Sequence, residues 1–570
     1  MLNYIKKYSR KYIPKIVRIL REGLYIDLMR MFGKRTSLLG MKEFPINLYG
    51  KNAFFTHPFK SLTLHKGGNE DYFAQFYGES TCTDYTIAKR AWLQYASEVL
   101  PGKIITKPEN FNINTKSVLP ISIVNKRMDS NEGIVSVVSK DKQYDLNNLK
   151  ENRFHYIPLD SPVRIIPRLR DRCIVGKPIS LVQTKKTKKK LVLSIFIDGL
   201  AGSIFDSNSF EEVMPNTKKY FESGSLCFNG YASSNWTLAS TASLFSGLYP
   251  INHKMYDANN EITLGDDYKT IGEYFSDAGF LTGQICSNFR KSPTYGYMKG
   301  FDRTLYKRNM SCNEVITYAM EHLRAFSERS NYLWLTFFET HHFLHGLPDI
   351  SIQTKSDISL HDYADSKLKS VHSSYDDKKT KIYIEELKRI DFYLEMLFNF
   401  IKKHYKDEDV VVSICSDHGK GFIGQSNDML AEHRIKAPLF FKSIDTKNNL
   451  VKDNRYAGSV DYLPSLLELS GINYNAKSFD GESIFNHSKK EACSEIVYVG
   501  DYYRTAMYTD KYIIKFVSSS KIFSAKEVDY DCGEYTLYRK KNMEKVDYSL
   551  DSALHSLVDE YKKILQNRIR

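Results

Sequence analysis

The sequence predicts an α/β fold: a mostly parallel sheet between helices, preceded by an N-terminal accessory α+β or β module and followed by a small C-terminal subdomain. Three observations carry this. Apolar runs at 191–198 (LVLSIFID), 332–342 (YLWLTFFETHH) and 409–419 (DVVVSICSDHG) are continuous rather than alternating, as strands covered on both faces are. Stretches with helical character separate them. Each run ends in Asp, Glu or His, and parallel sheets bind ligands beyond the carboxyl ends of their strands.

The elements follow in chain order. Residues 1–35 read as a basic amphipathic helical segment, with Tyr8, Tyr12, Ile16, Leu20, Leu24 and Leu28 recurring every fourth position, Pro14 splitting it and Gly33 closing it. Such a helix, over residues 1–32, suits an anionic membrane surface, each basic residue contributing about 1 kcal/mol, and reads equally as a helix packed on its own protein with a solvated basic face. Residues 36–184 hold short apolar runs with Gly, Pro and Asn breaks and no chemical motif, which suggests the accessory module. The Lys-rich stretch KKTKKK at 185–190 reads as a solvated linker before a buried strand. The alternating strand and helix pattern of the catalytic domain occupies 191–490, and 491–570 forms the C-terminal subdomain.

Composition excludes several classes. With 42% hydrophobic and 26% charged residues over 570, the chain is neither disordered nor collagen-like. The eight cysteines are scattered without metal-finger spacing, so a reducing compartment is the simpler expectation. No apolar run reaches the roughly 18 residues of a spanning helix, and no signal core follows the basic start, so the expected location is cytoplasmic, peripheral at the inner membrane face. The net charge of +14 resides almost wholly in residues 1–35 and 185–190. Nucleic acid is not an expected partner, because such proteins spread charge over a folded face and interleave aromatics.

A carboxylate at the end of a buried strand needs a partner. Asp198, with Asp417 and His418, therefore suggests a shared divalent cation, with zinc or manganese favoured and calcium or magnesium as alternatives. Between the first two runs, Thr237 falls near the start of a helical stretch, where open backbone amides favour an anion. Its hydroxyl is a nucleophile only when activated, for instance by a metal. Taken alone, Thr237 reads equally as a helix cap, and each Asp as a cap for the following helix. Asn235 is a candidate donor to a transition-state oxygen, or a turn former.

The segments IDGLAGSIFD, MPNTKKYFESGSLCFNGYASSNWTLASTASLFSGLYPINH, TIGEYFSDAGFLTG, ICSDHG and DYLPSLLELSGI with FDGESIF resemble, in that order, the sulfatase and alkaline phosphatase superfamily over about 190–490. KYIIKF and YTLYRKKNMEKVD look like the small C-terminal subdomain of sulfatases. The resemblance implies an alkaline-phosphatase-like core in which Asp198, Asp417 and His418 are metal ligands and Thr237 is the metal-bound nucleophile. It also makes His341 the residue contacting the transferred group, with His342 and His345 as competitors. His433 is implied as the later metal ligand, and Glu339 as a ligand or a strand-end charge.

Two departures shape the function implied. Sulfatases convert a Cys within Cys-x-Pro-Ser-Arg, where this chain has Thr237, Leu238, Ala239, Ser240 and Thr241; they also carry two adjacent Asp where it has Asp198 and Gly199. A Thr nucleophile resembles the phosphoethanolamine and glycerophosphate transferases and the nucleotide phosphodiesterases. The expected activity is therefore metal-dependent phosphoryl-group transfer through a phospho-threonine, from a phosphate-ester donor to a glycan or glycolipid acceptor. The alternatives are a phosphodiesterase or sulfatase-like hydrolase, and, from another class, an inactive member that binds a glycan or protein.

Overall fold

In a computed structural model of the chain, residues 59–63, 71–76 and, with short gaps and a longer one at 343–372, residues 97–568 are described. The amphipathic segment expected over 1–35 lies outside the described residues. The chain divides between Ser180 and Leu181 into two compact units.

Every described element of the first unit is a strand. One antiparallel sheet contains β1 (Phe59–Thr63), β2 (Asp71–Phe76), β3 (Ser97–Ile105), β5 (Ser117–Val124), β8 (His155–Leu159), β10 (Arg172–Gly176) and β11 (Ile179–Ser180). A second contains β4 (Glu109–Phe111), β6 (Val135–Ser139), β7 (Lys142–Leu146) and β9 (Val163–Pro167), in the order β4-β9-β6-β7. Leu119 and Ile121 from the first sheet share a buried core with Val137 and Ile165 from the second. The alternating burial of β9 (Val163, Ile165 and Pro167 in, Arg164 out) shows why this sequence makes one face of a sandwich.

The second unit is built on a sheet of order β16-β15-β17-β12-β18-β19-β13. Its parallel members are β12 (Leu191–Ile197), β15 (Leu281–Cys286), β16 (Arg303–Tyr306), β17 (Asn331–Phe337) and β18 (Val410–Cys415). The antiparallel β19 (Leu439–Lys442) and β13 (Ser225–Cys227) close one edge. β12, β17 and β18 are buried at every residue, as their unbroken apolar runs require. Register pairs Phe196 with both Thr336 and Cys415, so the three strands end side by side.

Helices cover this sheet. α1 (Thr237–Ser246) is buried at every residue, a consequence of its Ala and Ser content, and ends at Gly247, whose φ of +70° favours glycine. A side-chain carbon at Gly247 would also lie 2.6 Å from the Phe479 ring. α2 (Cys312–Ala325) begins with a Ser311–Glu314 capping box. α3 (Asp377–His404) buries Ile382, Leu387, Ile390, Leu394, Leu397 and Ile401 along one stripe. At the C-terminal end, β21 (Glu491–Ile496), β22 (Asp501–Thr509), β23 (Tyr512–Ile522), β24 (Glu534–Arg539) and β25 (Lys545–Val546) form an antiparallel sheet. α4 (Ser552–Arg568) joins it through a core that includes Tyr503, Phe516, Tyr561 and Leu565. β14 (Gly230–Tyr231) and β20 (Ala457–Gly458) pair separately. Among the described residues, no helix is long and apolar enough to cross a membrane.

The Lys-rich stretch is only partly the solvated linker expected of it. Four of its lysines are exposed, but Lys189 is 2% exposed, donates to the Glu408 carbonyl at 2.9 Å and pairs with Asp445 at 3.1 Å. The stretch leads straight into β12, and a lysine beside a buried strand must find acceptors.

One buried charge on α3 makes stability pH-dependent. Burial pushes the Glu386 carboxyl up to about 7, against the pull of Arg389 and with a push from Glu339. The folded-state value lies above the unfolded one, so the native state gains from the protonated form at low pH and loses this gain as pH rises through 7. Glu386→Gln is therefore expected to leave the melting temperature unchanged at pH 4.5 and to raise it at pH 8, by up to about 3 kcal/mol of stability. Thermal denaturation at the two pH values checks this; equal shifts at both would contradict it.

Candidate active site

The ends of β12, β17 and β18 meet above α1, and here the expected residues converge. Asp198, directly after β12, is fully buried, with Oδ2 accepting from the Asn288 side chain. Its Oδ1 lies 2.5 Å from His341 Nε2 and 3.9 Å from His418 Nε2, yet accepts no hydrogen bond. Asp417, two residues after β18, accepts from the Gly199 amide at 2.8 Å through Oδ1, while its buried Oδ2 has no donor. His418 Nδ1 donates to the Gly419 carbonyl at 2.8 Å, which leaves Nε2 as a lone-pair atom facing the site. That nitrogen is 3.3 Å from Asp417 Oδ2 and 3.3 Å from the Thr237 hydroxyl.

Backbone geometry explains this convergence. The turn after β12 is fixed by Tyr383, whose hydroxyl donates to the Gly199 carbonyl at 2.9 Å and accepts from the Ala201 amide at 2.8 Å. Thr237 is the first residue of α1, with Trp236 in the capping position, so its hydroxyl does not cap the helix. Ser240 holds the preceding turn: its hydroxyl donates to the Ser234 carbonyl at 2.6 Å and accepts the Ser234 amide at 3.0 Å. The first amides of α1 have no partners within the helix, and Thr237 stands among them as its first residue.

Electrostatics divides the carboxylates. Burial alone would raise Asp198, but His341, His418 and Lys420 hold it well below the usual carboxylate range. Burial and the neighbouring Asp198 push Asp417 up. Burial and Lys420 push His341 down to about 4, so its imidazole is neutral.

Other expected residues sit differently. Glu339 is a structural charge, accepting the amides of Cys312, at the start of α2, and of Phe338. Asn235 accepts from Tyr498 at 3.2 Å and donates to the Met429 carbonyl at 3.5 Å. The His433 ring packs against Gly424 with a buried, unpartnered Nε2, and is not a member of the Asp198, His341 and His418 group. His345 lies outside the described residues, as does the side chain of His342.

The sequence reading passed over Asn288, Lys291 and Lys420. Lys420 is fully buried, with Nζ 3.0 Å from His341 Nε2, and it occupies the space that a side chain at Gly199 would fill. The second Asp of sulfatases is thus replaced here by room for a lysine. Lys291 lies with Nζ 2.9 Å from the centroid of the Phe196 ring and 3.3 Å from the Thr336 hydroxyl. Burial pushes both lysines down to about 8, opposed chiefly by Asp198 and Asp417 at Lys420 and by Cys286 and Asp198 at Lys291. Asn288 and Lys291 follow β15 just as the other polar residues follow their strands, and that position was the available signal.

The donor set fits a divalent cation. Ligand atoms of Asp198, His341 and His418 all lie within 4.8 Å of one another. Two buried carboxylate oxygens, Asp198 Oδ1 and Asp417 Oδ2, lack hydrogen-bond donors, and a cation would satisfy both. Oxygen and imidazole ligands are those of zinc and manganese.

Comparison with known proteins agrees with this architecture. The Sulfatase family model matches residues 190–472. A Caenorhabditis elegans protein described as an extracellular sulfatase Sulf-1 homolog is 21% identical over 317 residues, covering 46% of this chain and 44% of that protein, less than half its length. Among solved structures, the chain is similar in fold to a Bacteroides fragilis protein described as the sulfatase YidJ (TM-score 0.51, 13% identity, 68% of this chain and 99% of that one). It is similar also to the phosphonate monoester hydrolase SpPMH of Silicibacter pomeroyi (TM-score 0.50, 14% identity, 67% and 96%). The sheet order, the buried Asp–His cluster and the family match fall on the same residues, so the chain carries a sulfatase-like domain at 190–472.

Proposed function

We propose that this domain transfers a phosphoryl-containing group through Thr237, from a phosphate-ester donor to a hydroxyl of a glycan or glycolipid. The observation that carries the reading is the Thr237 hydroxyl at the N-terminus of α1, 3.3 Å from His418 Nε2 and not used as a helix cap. Asp198, Asp417 and His418 would hold the cation. When bound, a divalent cation lowers the pKa of a nearby hydroxyl and neutralises phosphoryl oxygens.

The chain's own residues supply the rest. Thr237 Oγ1 attacks phosphorus, the bond to the donor's alcohol breaks, and a phospho-threonine forms. His418 orients the hydroxyl, while Lys420 and the open amides of α1 face the oxygens on which charge develops. His341, neutral and stacked on Phe338 at 4.8 Å, is placed to hold the transferred group. An acceptor hydroxyl then displaces Thr237; with water in that place the same steps give a hydrolase. A peripheral position at an anionic membrane, through residues 1–32, belongs to this reading and is checked by liposome flotation.

The direct test is turnover of chromogenic phosphate monoester, phosphate diester and sulfate ester by the purified protein, with manganese, zinc and chelator arms. Phosphate-diester cleavage that chelator reduces to background and that either metal restores is the expected result. Cleavage of the sulfate ester alone would overturn the phosphoryl reading.

A further inference from the structure

Among the described residues, the sandwich of the first unit does not close. Its inner faces are packed through Leu119, Val137 and Ile165, but between the edge strands β7 and β8 they part to leave a cleft of about 830 Å³. Lys142, Tyr144 and Leu146, alternate residues of β7 and therefore on one face, all line it. A closed sandwich places apolar side chains on such a face, whereas here Lys142 is exposed and Tyr144 is 53% exposed. Ile157 and Leu159 of β8, both half-buried, form the opposite wall. Val137, from the shared core, also lines it.

The rim is cationic. Among the described lining residues, Lys116, Lys140 and Lys142 border the cleft against one carboxylate, Asp160, which lies 3.6 Å from Lys140 and accepts from the Ser161 hydroxyl. We propose that this cleft binds a single-chain amphipathic anion, its hydrocarbon along Val137, Leu146, Ile157 and Leu159 and its phosphate or carboxylate head at Lys116 and Lys142. The volume lies within the usual range for ligand sites, roughly 300–1,000 Å³. The walls of Val137, Leu146, Ile157 and Leu159, with the lysines at the rim, suit a hydrocarbon carrying an anionic head better than a sugar. The chain's own basic segment at 1–35 is a poor occupant, because like charges would meet at the rim. This inference is independent of the reaction proposed above.

Isothermal titration of the full chain with dodecyl phosphate, kept below its micelle concentration, tests it. Saturable one-to-one binding is expected, weakened about tenfold or more by the double variant Lys116→Glu/Lys142→Glu and also by Tyr144→Asp. These positions are exposed, and circular dichroism checks that each variant folds. Inorganic phosphate is expected not to compete, because it lacks the hydrocarbon. Absence of dodecyl phosphate binding, binding unchanged in both variants, or variant-sensitive binding of an acidic oligosaccharide in its place would overturn the proposal.

Discussion

Thr237→Ala is expected to reduce phosphate-ester turnover by about four to six orders of magnitude, while the fold and the metal content stay as they are. The change removes the only atom proposed to bond to phosphorus, and no water can take its place with the same alignment to the amides of α1. Its structural cost is small: the hydroxyl does not cap α1, and its neighbour His418 Nε2 is still oriented by the Gly419 carbonyl. Thr237→Ser keeps the hydroxyl and is expected to retain measurable turnover. Rapid quenching with a phosphorus-labelled donor should trap label on the native chain and none on Thr237→Ala. Full turnover by the Ala variant would remove Thr237 as nucleophile, whatever the substrate.

The site was legible in the sequence wherever a buried run ended in a polar residue. LVLSIFID and DVVVSICSDHG place Asp198, Asp417 and His418 by strand length alone, because parallel strands in register end at one level. Thr237 was legible as the start of a small-residue helix, but the use of its hydroxyl was not, since a Thr there reads equally as a cap. Glu339 illustrates the reverse: the same strand-end signal marks a residue that serves the amide of Cys312 at the start of α2. Only the tertiary arrangement separates a ligand from a helix partner.

Lys420 and Lys291 were hidden for another reason. In the sequence, a lysine after Asp-His-Gly reads as solvated, since lysines are rarely buried without partners. Its burial depends on Gly199, more than two hundred residues earlier, whose missing side chain makes the space. The cleft of the first unit was invisible for a similar reason: the pattern of β7 reads as an ordinary edge strand, and only the fold brings Ile157 and Leu159 of β8 to the other wall of a cleft beside it.

Asp198→Asn is expected to lower the affinity for zinc or manganese by about a hundredfold and turnover by at least about a thousandfold. Asp198 carries the oxygen closest to His341, and its charge is the one that His341, His418 and Lys420 together favour. The amide keeps the volume and can still meet Asn288, so packing is preserved and the loss reports on charge. Asp417→Asn should act in the same direction, because its Oδ2 is a buried oxygen without a donor. Glu339→Gln supplies the contrast: it removes a buried carboxylate from the end of the same sheet, yet the metal content measured by mass spectrometry should be unchanged, with a lower melting temperature from the weakened hold on the Cys312 amide. If all three variants lost metal equally, the cluster would be a diffuse acidic environment; loss confined to Asp198→Asn and Asp417→Asn identifies the two oxygens that no donor satisfies as the ones that hold the cation.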